Sequence, residues 1–156
     1  MRLWHKELIP VLPRQQLLAQ WRECCCIAKN IAIKGTPNHI LVNKILEYPI
    51  GHFQTYCELV IIEMGQRGYE VKQSSYKELC DNISIISGNR MCKDKPPMKL
   101  YEDWHSDRYF WQCYFNLQEK YDCEGIPEEE WQEVENLAAN KERMEYYDIK
   151  KEEELI

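Results

Sequence analysis

Arg22 and Glu23 are neighbours in the N-terminal part of the chain and form the pair best suited to chemistry on a charged substrate. The planar guanidinium of arginine binds phosphate oxygens in pairs. A carboxylate stabilises a nearby cation and shuttles protons. Because an exposed Arg–Glu pair is by default a solvated helix face, a functional interpretation needs support from the rest of the chain.

The first predicted helix, over about residues 13–28, positions this pair. Pro13 suits a first helical turn, where its missing N–H costs little. Apolar residues recur at helical spacing and predict the core face: Leu17, Leu18, Trp21, Cys25 and Ala28. At about 100° per residue, Glu23 lies about 200° from Trp21 and should point away from that face. We expect one stripe on the other side, with Arg22 beside it: Gln16, Gln20, Glu23 and Cys26.

Further helices are predicted over residues 52–67, 74–82 and 106–121 and from Pro127 onwards, with a short helix after His39. The segment 52–67 is the expected central helix, in which Glu63 and Arg67 can pair at i,i+4 and which Gly68 ends. Its apolar residues recur at helical spacing and predict a core face: Phe53, Tyr56, Cys57, Val60, Ile61 and Met64. The best strand candidate, residues 83–87, is short. The sequence therefore predicts an all-α, single compact multi-helix domain, divided into a body (1–125) and an acidic C-terminal helix (126–156) packed on it or extending from it.

The charge is divided unevenly along the chain. Residues 1–118 hold 15 Lys and Arg against 12 Asp and Glu, whereas residues 119–156 hold 5 against 14. The balances of +3 and −9 give the net charge of −6. The acidic character thus belongs to the C-terminal part, and the body can still present a basic face to nucleic acid.

The eight cysteines show no repeated spacing, and the first residues lack the apolar core of a signal peptide. We expect reduced, mostly buried thiols and a cytoplasmic protein. No apolar run is long enough to span a membrane. The nearest approach to a metal site is His105 with Cys113 and Cys123, and we predict no metal.

Two later segments are candidate DNA contacts. The predicted loop 84–99 is rich in basic residues, which suit phosphates but equally suit an ordinary solvated loop: Arg90, Lys93, Lys95 and Lys99. On the fourth helix, Tyr109, Cys113 and Leu117 mark a core side, and a second stripe holds Trp104, Arg108, Trp111 and Phe115. Such aromatics can stack on bases, although at helical spacing they are more often core. Arg108 is the candidate DNA contact in this stripe.

Several short motifs, in this order, resemble the pyrimidine-dimer DNA glycosylases of the phage endonuclease V type. The segment Arg14-Gln15-Gln16-Leu17-Leu18-Ala19-Gln20-Trp21-Arg22-Glu23 is similar to the family's first helix, with its aromatic-Arg-Glu triplet. Asn38-His39-Ile40 resembles a Gly-His-Val element, and Arg67-Gly68-Tyr69 resembles the end of the central helix. His105 and Leu117-Gln118-Glu119-Lys120 resemble a later helical segment. The resemblance spans roughly residues 1–121.

The resemblance implies a specific chemistry, in which the chain's own α-amine attacks the sugar carbon of the damaged nucleotide. An α-amine titrates near 7.7–8.0, against about 10.4 for a lysine, so more of it is neutral at physiological pH. Attack expels the base and leaves an imine, which permits β-elimination and strand cleavage. A carboxylate near the imine stabilises the cationic intermediate and can shuttle protons, and Glu23 is the candidate for that role. No metal or organic cofactor is expected.

The resemblance also implies roles in binding double-stranded damaged DNA. Arg2 and Arg22 would hold phosphates near the lesion, and Gln15 and Gln16 would contact the opened site. His39 is a further candidate, as is Lys120, although a structural histidine and a surface lysine are the ordinary alternatives. We expect a monomer.

The sequence departs from the family at several positions. The reactive residue of the best-known member is small and follows a removed Met, whereas Arg2 is bulky here. We therefore expect Met1 to be retained and its α-amine to be the nucleophile. A family arginine on the first helix is Cys26 here, a helix-face histidine is Gln16, and an acidic helix replaces a basic aromatic C-terminal segment. The loss of these family residues bears on which lesion is the substrate and on how active the protein is, more than on its fold.

Two other functions remain open on sequence grounds. The first is a nucleic-acid-binding or protein-interaction module that keeps the fold without catalysis, in line with the acidic tail and the lost basic residues. The second is a different enzyme that uses Glu23 and His39 on a small substrate. A free N-terminus close to Glu23 would favour the glycosylase, and a buried or blocked one would favour the module.

Overall fold

The computed structural model describes residues 1–88 and 96–154, with side chains as far as residue 143. Helices account for its regular secondary structure, and the described residues contain no strand, which confirms the all-α prediction. Two 3₁₀ helices span Lys6–Val11 and Asn43–Glu47. The α-helices are α1 (Arg14–Lys34), α2 (Ile50–Gln66), α3 (Gln73–Ile86), α4 (Asp107–Asp122) and α5 (Glu128–Glu154).

Helix α1 extends six residues beyond the predicted end at Ala28. It continues because its buried face continues, with Ile27 fully buried and Ile31 nearly so. Gly35 ends the helix with a left-handed φ of 75°, and its N–H donates to the carbonyl of Ile31 at 2.8 Å. Left-handed backbone is readily adopted by glycine, which lacks a Cβ.

Helix α2 forms the centre of the core, as its periodicity predicts. The predicted apolar face is buried at Phe53, Tyr56, Cys57, Val60 and Met64. The helix packs against α1, α3 and both 3₁₀ helices. Beyond it, α3 packs mainly on α1, and its last turn contains most of the segment considered as a strand, residues 83–86.

Helix α4 begins as predicted, because the Ser106 side chain accepts the N–H of Tyr109 and caps the first turn. After a turn that contains the boundary placed at residue 125, α5 packs on α4 and on the first 3₁₀ helix. Trp131 is buried and stacks on Tyr121 with ring centroids 5.0 Å apart. The acidic helix therefore shares the core of the body.

The Lys141 ammonium connects α5 to the N-terminal part of the chain. It lies 3.0 Å from a carboxylate oxygen of Glu7 and 2.9 Å from one of Asp107. The same ammonium lies 4.7 Å from the centre of the Phe110 ring. Since the Lys141 side chain is largely buried, these contacts replace the water that it loses.

The cysteines that the structure describes are free thiols, but fewer are buried than expected. Cys24, Cys57 and Cys113 lie in the core, whereas Cys26, Cys80 and Cys123 are exposed. Among the side chains that the structure describes, in residues 1–88 and 96–143, no group of three or more from His, Cys, Asp and Glu could hold a metal ion. In the same residues, no helix has the length and apolar character to cross a membrane.

Arg67, at the end of α2, caps the first 3₁₀ helix. Its guanidinium donates to the carbonyls of Leu12 at 2.7 Å, Pro10 at 3.1 Å and Ile9 at 3.3 Å. Glu63 holds the same guanidinium at 2.7 Å, which confirms the predicted i,i+4 pair. The partly buried arginine thus joins the central helix to the segment that precedes α1.

Arg67→Met should lower the free energy of unfolding by about 2–4 kcal/mol, because three carbonyls and Glu63 lose a charged donor. Lys77→Met is the matched control, since it breaks the exposed i,i+4 pair with Asp81 and should cost less than about 0.5 kcal/mol. Urea denaturation measures both. Equal losses in the free energy of unfolding for the two variants would show that Arg67 does not stabilise the contact between α2 and the first 3₁₀ helix.

Candidate functional site around the N-terminus

Gln20 holds the N-terminal segment against α1. Its amide is fully buried, and its oxygen accepts the backbone N–H of Trp4 at 2.8 Å. Its nitrogen donates to the carbonyl of Arg2 at 3.0 Å and approaches Glu23 Oε2 at 3.4 Å. The Gln20 amide therefore forms two hydrogen bonds with the backbone of the N-terminal segment. It also contacts Glu23, the candidate carboxylate.

Two tyrosines hold the next two carbonyls of the same segment. The hydroxyl of Tyr109 donates to the carbonyl of Leu3. The hydroxyl of Tyr56 lies 2.7 Å from the carbonyl of Trp4 and 2.9 Å from Gln20 Oε1, and it can share its proton between them. Burial raises the pKa of both tyrosines, so both hydroxyls stay protonated and remain donors.

These contacts bring the start of the chain to Glu23. The backbone N–H of Arg2 donates to Glu23 Oε2 at 3.4 Å. The α-nitrogen of Met1 lies three covalent bonds before that nitrogen, so it is within roughly 7 Å of the carboxylate oxygen. Met1 is 39% exposed. The end of the chain is thus accessible to a large substrate.

The Arg2 guanidinium folds back towards the protein. It lies 5.2 Å from the centre of the Trp4 ring, a distance at which a cation and an aromatic face attract each other. One of its nitrogens is 3.9 Å from the Cys113 sulfur. Arg2 is half-buried, beside the terminus that it follows.

Two buried histidines fix the backbone just after this segment. His5 Nδ1 accepts the N–H of Glu7 at 3.2 Å, so the proton sits on Nε2, which donates to the carbonyl of His105 at 2.9 Å. His105 Nδ1 accepts the N–H of Lys6 at 3.0 Å. Burial lowers the pKa of both rings, that of His105 to about 2. Both histidines are therefore neutral and structural at neutral pH.

A first cleft, of about 410 Å³, opens beside the terminus. It brings together five of the predicted site residues: Gln15, Gln16, Arg22, Glu23 and Lys120. Trp4 forms part of its wall. The cleft joins α1 to the end of α4, so Lys120 comes next to residues that are about 100 positions earlier in the sequence. Within the described part of the chain, the Gln16 side-chain oxygen has no hydrogen-bond partner.

Arg108 lies in a second cleft, of about 360 Å³, with Lys44 and Gln112. Trp104 and Tyr109 contribute aromatic surface to it. His39 lies in the loop at the edge of this cleft, and its Nδ1 accepts the N–H of Leu41 at 3.3 Å. The structure therefore separates His39 and Arg108 from the cleft that contains Glu23, and it does not bring Glu23 and His39 into one cleft.

The other predicted DNA contacts, which are the aromatic stripe and the basic loop 84–99, do not form one surface in the described residues. Trp104 is buried and Phe115 is exposed, so the predicted stripe does not present one continuous face. Lys99 is paired with Glu102 at 2.7 Å. Arg90, Lys93 and Lys95, in the loop predicted to contact phosphates, lie outside the described residues. A role of that loop in binding stays a prediction.

Sequence patterning missed the residues that position the terminus. The periodicity of α1 predicts that Gln20 lies on the exposed stripe, but the structure buries it under residues 2–4. Helical periodicity assigns one apolar face and cannot show that the N-terminal segment covers part of the opposite one. Tyr56 was identified only as core, and Tyr109 only as the core side of α4.

Replacing Gln20 should release the start of the chain. Gln20→Leu leaves the Trp4 N–H and the Arg2 carbonyl without partners, so we expect the free energy of unfolding to fall by about 2–4 kcal/mol. We also expect faster hydrogen exchange at the Trp4 amide, measured by NMR. The exposed Gln15→Leu is the control, with a change within about 0.5 kcal/mol. Unchanged Trp4 exchange in Gln20→Leu would contradict this role.

The neutral histidines predict a loss of stability in acid. Unfolded His105 takes up a proton below pH 6.5, whereas the native ring resists protonation down to a pKa of about 2. Stability from this group is therefore full above pH 6.5 and falls as the pH drops, by about 2 kcal/mol at pH 5. Urea denaturation at pH 7 and pH 5 measures the difference.

His105→Asn should lose this component of the pH dependence, and His39→Asn, in a surface loop, should keep it. NMR titration gives a second check that does not require a folded variant. A native His105 ring that titrates between pH 5 and pH 7 would overturn the assignment.

Comparison with known proteins identifies the N-terminal half of the chain. Residues 1–77 match the family model described as pyrimidine dimer DNA glycosylase. No curated protein and no solved structure matches the chain. The matched region contains α1, α2, the N-terminal segment and Glu23, whereas the similarities at His105 and residues 117–120 lie beyond it. Residues 1–77, which carry the N-terminal segment and Glu23, are thus similar to the pyrimidine dimer DNA glycosylase family.

Proposed function

We propose that this protein removes damaged bases at pyrimidine dimers and then cleaves the DNA strand, with the α-amine of Met1 as nucleophile and Glu23 as the essential carboxylate. The observation that carries the proposal is the 3.4 Å contact between the Arg2 N–H and Glu23 Oε2, beside an accessible Met1. The family match supports DNA glycosylase activity, and this contact supports the finer mechanism.

The proposed first step replaces the base by the amine. The Met1 nitrogen forms a bond to C1′ of the damaged nucleotide, and the bond from C1′ to the base breaks. The base leaves with the electron pair and takes up a proton, while the amine nitrogen loses one. The bond from C1′ to the ring oxygen O4′ then breaks, O4′ takes up a proton and becomes a hydroxyl, and the C1′–nitrogen bond becomes a protonated imine. Glu23 stabilises this cation across the short distance to the terminus.

The second step breaks the strand. The imine makes the C2′ proton acidic, a base removes it, and the bond from C3′ to the phosphate oxygen breaks. Glu23 is the proposed carrier of the C2′ proton. Water then hydrolyses the imine and regenerates the amine. The polypeptide supplies the nucleophile and the proton carrier, so the scheme requires no metal or organic cofactor.

The first cleft supplies the proposed contacts to the damaged strand. Arg22 and Lys120 are exposed at its edges and are suited to phosphates, and Gln15 and Gln16 can hydrogen-bond to the opened site. Arg2 acts from the side of the terminus.

Arg108 and His39 are proposed to contact the DNA further from the reacting sugar. Arg108 is exposed in the second cleft, at the start of α4, whereas Lys120 lies near its end. Twelve residues of helix separate them, or about 18 Å along the axis. Two phosphate contacts at that spacing would fix the duplex along α4, with the N-terminal segment between them.

A binding module without catalysis is the second candidate. The observation that favours it is charge, because residues 119–156 carry −9 and most of them fold as α5 against the body. Such a helix weakens DNA binding wherever it approaches phosphates. This candidate predicts partner binding with no dependence on the Met1 amine.

Borohydride trapping separates the two candidates. The protein is incubated with a duplex that contains one cyclobutane pyrimidine dimer, and the imine is reduced to a stable adduct. We expect an adduct with wild type and none after the α-amine is blocked. Glu23→Gln should bind the duplex with similar affinity but lose at least about 100-fold in the rate of strand cleavage.

Glu133→Gln, which changes an exposed glutamate on α5, is the matched control and should cleave at the wild-type rate. An adduct that survives blocking would remove Met1 as nucleophile. The absence of any adduct with wild type, on a dimer or on an abasic site, would favour the binding module.

A further inference from the structure

The loop between α1 and the second 3₁₀ helix exposes two large aliphatic side chains. Ile40 is 87% exposed and Leu41 is 48% exposed. Pro37, three residues before Ile40, and Val42, directly after Leu41, are both buried. The loop is thus anchored in the core at both ends, with its apolar tip in solvent.

Hydrogen bonds within the loop hold this tip in one shape. Asn43 Oδ1 accepts the N–H of His39 at 3.1 Å, and the His39 carbonyl accepts the N–H groups of Val42 at 3.0 Å and Asn43 at 2.9 Å. Thr36 Oγ1 accepts the N–H of Asn38 at 3.1 Å. The tip is therefore preorganised, and an exposed side chain on it loses little further entropy when it binds.

The surroundings of the tip are suited to DNA. Ile40 and Leu41 line the second cleft together with two cations, Lys44 and Arg108, and one carboxylate, Asp103. Neither cation is within ion-pair distance of Asp103 or of another carboxylate that the structure describes. Tyr109 lines the same cleft and donates to the carbonyl of Leu3, two residues from the proposed nucleophile. The apolar tip and the two cations thus lie in one cleft, and Tyr109 connects this cleft to the N-terminal segment that carries the proposed nucleophile.

We propose that Ile40 and Leu41 form a wedge that enters the DNA base stack next to the lesion, while Lys44 and Arg108 hold the flanking phosphates. This inference rests on the proposed function and adds the device that opens the duplex. Aliphatic side chains that insert between base steps unstack and kink DNA, and adjacent cations hold the kinked backbone. The dimer is already poorly stacked, so the wedge acts most easily there.

The test compares duplex and single-stranded substrates that carry one abasic site, with strand cleavage as the readout. The variant is the double replacement Ile40→Ala with Leu41→Ala. Its matched control is Ile62→Ala with Ile85→Ala, since both residues are exposed to a similar degree (55% and 56%) and line neither cleft. A 2-aminopurine next to the site reports base unstacking by its fluorescence.

On the duplex, the wedge variant should cleave about 10-fold more slowly or worse and lose the fluorescence increase, because unstacking is no longer supported by apolar contact. On the single strand, which needs no opening, it should match wild type. The control variant should match wild type on both. Equal duplex activity in all three proteins would overturn the wedge and leave the proposed function intact.

Other outcomes are also decisive. Equal losses on duplex and single strand would overturn the wedge, because they indicate a general defect. Dissociation of a wild-type dimer by the wedge replacements, seen by light scattering, would assign the tip to self-association instead. Wild type that cleaves neither substrate would contradict the proposed function itself.

Discussion

The buried amide of Gln20 is the constraint on which the candidate site depends. It joins the backbone of residues 2–4 to α1 and lies 3.4 Å from Glu23. A chain terminus ordinarily frays, because few contacts offset its conformational entropy. Here the carbonyls of Arg2, Leu3 and Trp4 each accept a hydrogen bond from a side chain of α1, α2 or α4. An α-amine can therefore occupy a defined place without being part of a helix or sheet.

The rest of the core maintains this arrangement. Arg67 caps the first 3₁₀ helix from the end of α2, and the neutral histidines His5 and His105 fix the backbone beyond Trp4. Lys141 then joins α5 to the same region through Glu7. The acidic helix thus supports the N-terminal side of the molecule from within the fold, although its charge is unfavourable near DNA.

Local sequence predicted the elements well and the site only in part. Periodicity located the helices and the buried face of α2, since a 3.6-residue repeat records which side meets the core. Periodicity predicts that Gln20 lies on the surface of α1. The residues that cover it, 2–4, precede the helix and form no helical repeat of their own, so the pattern cannot reveal the contact. Glu23 and Arg22 were found through the resemblance in residues 14–23. The meeting of Lys120 with them is a tertiary contact that no local pattern encodes.

The central claim is that the α-nitrogen of Met1 becomes covalently joined to DNA. Mass mapping of the borohydride-reduced adduct tests it most directly, after proteolysis and nuclease digestion. We expect the sugar remnant on the α-nitrogen of the peptide that begins at Met1. A remnant on a lysine, such as Lys6 or Lys120, would contradict it.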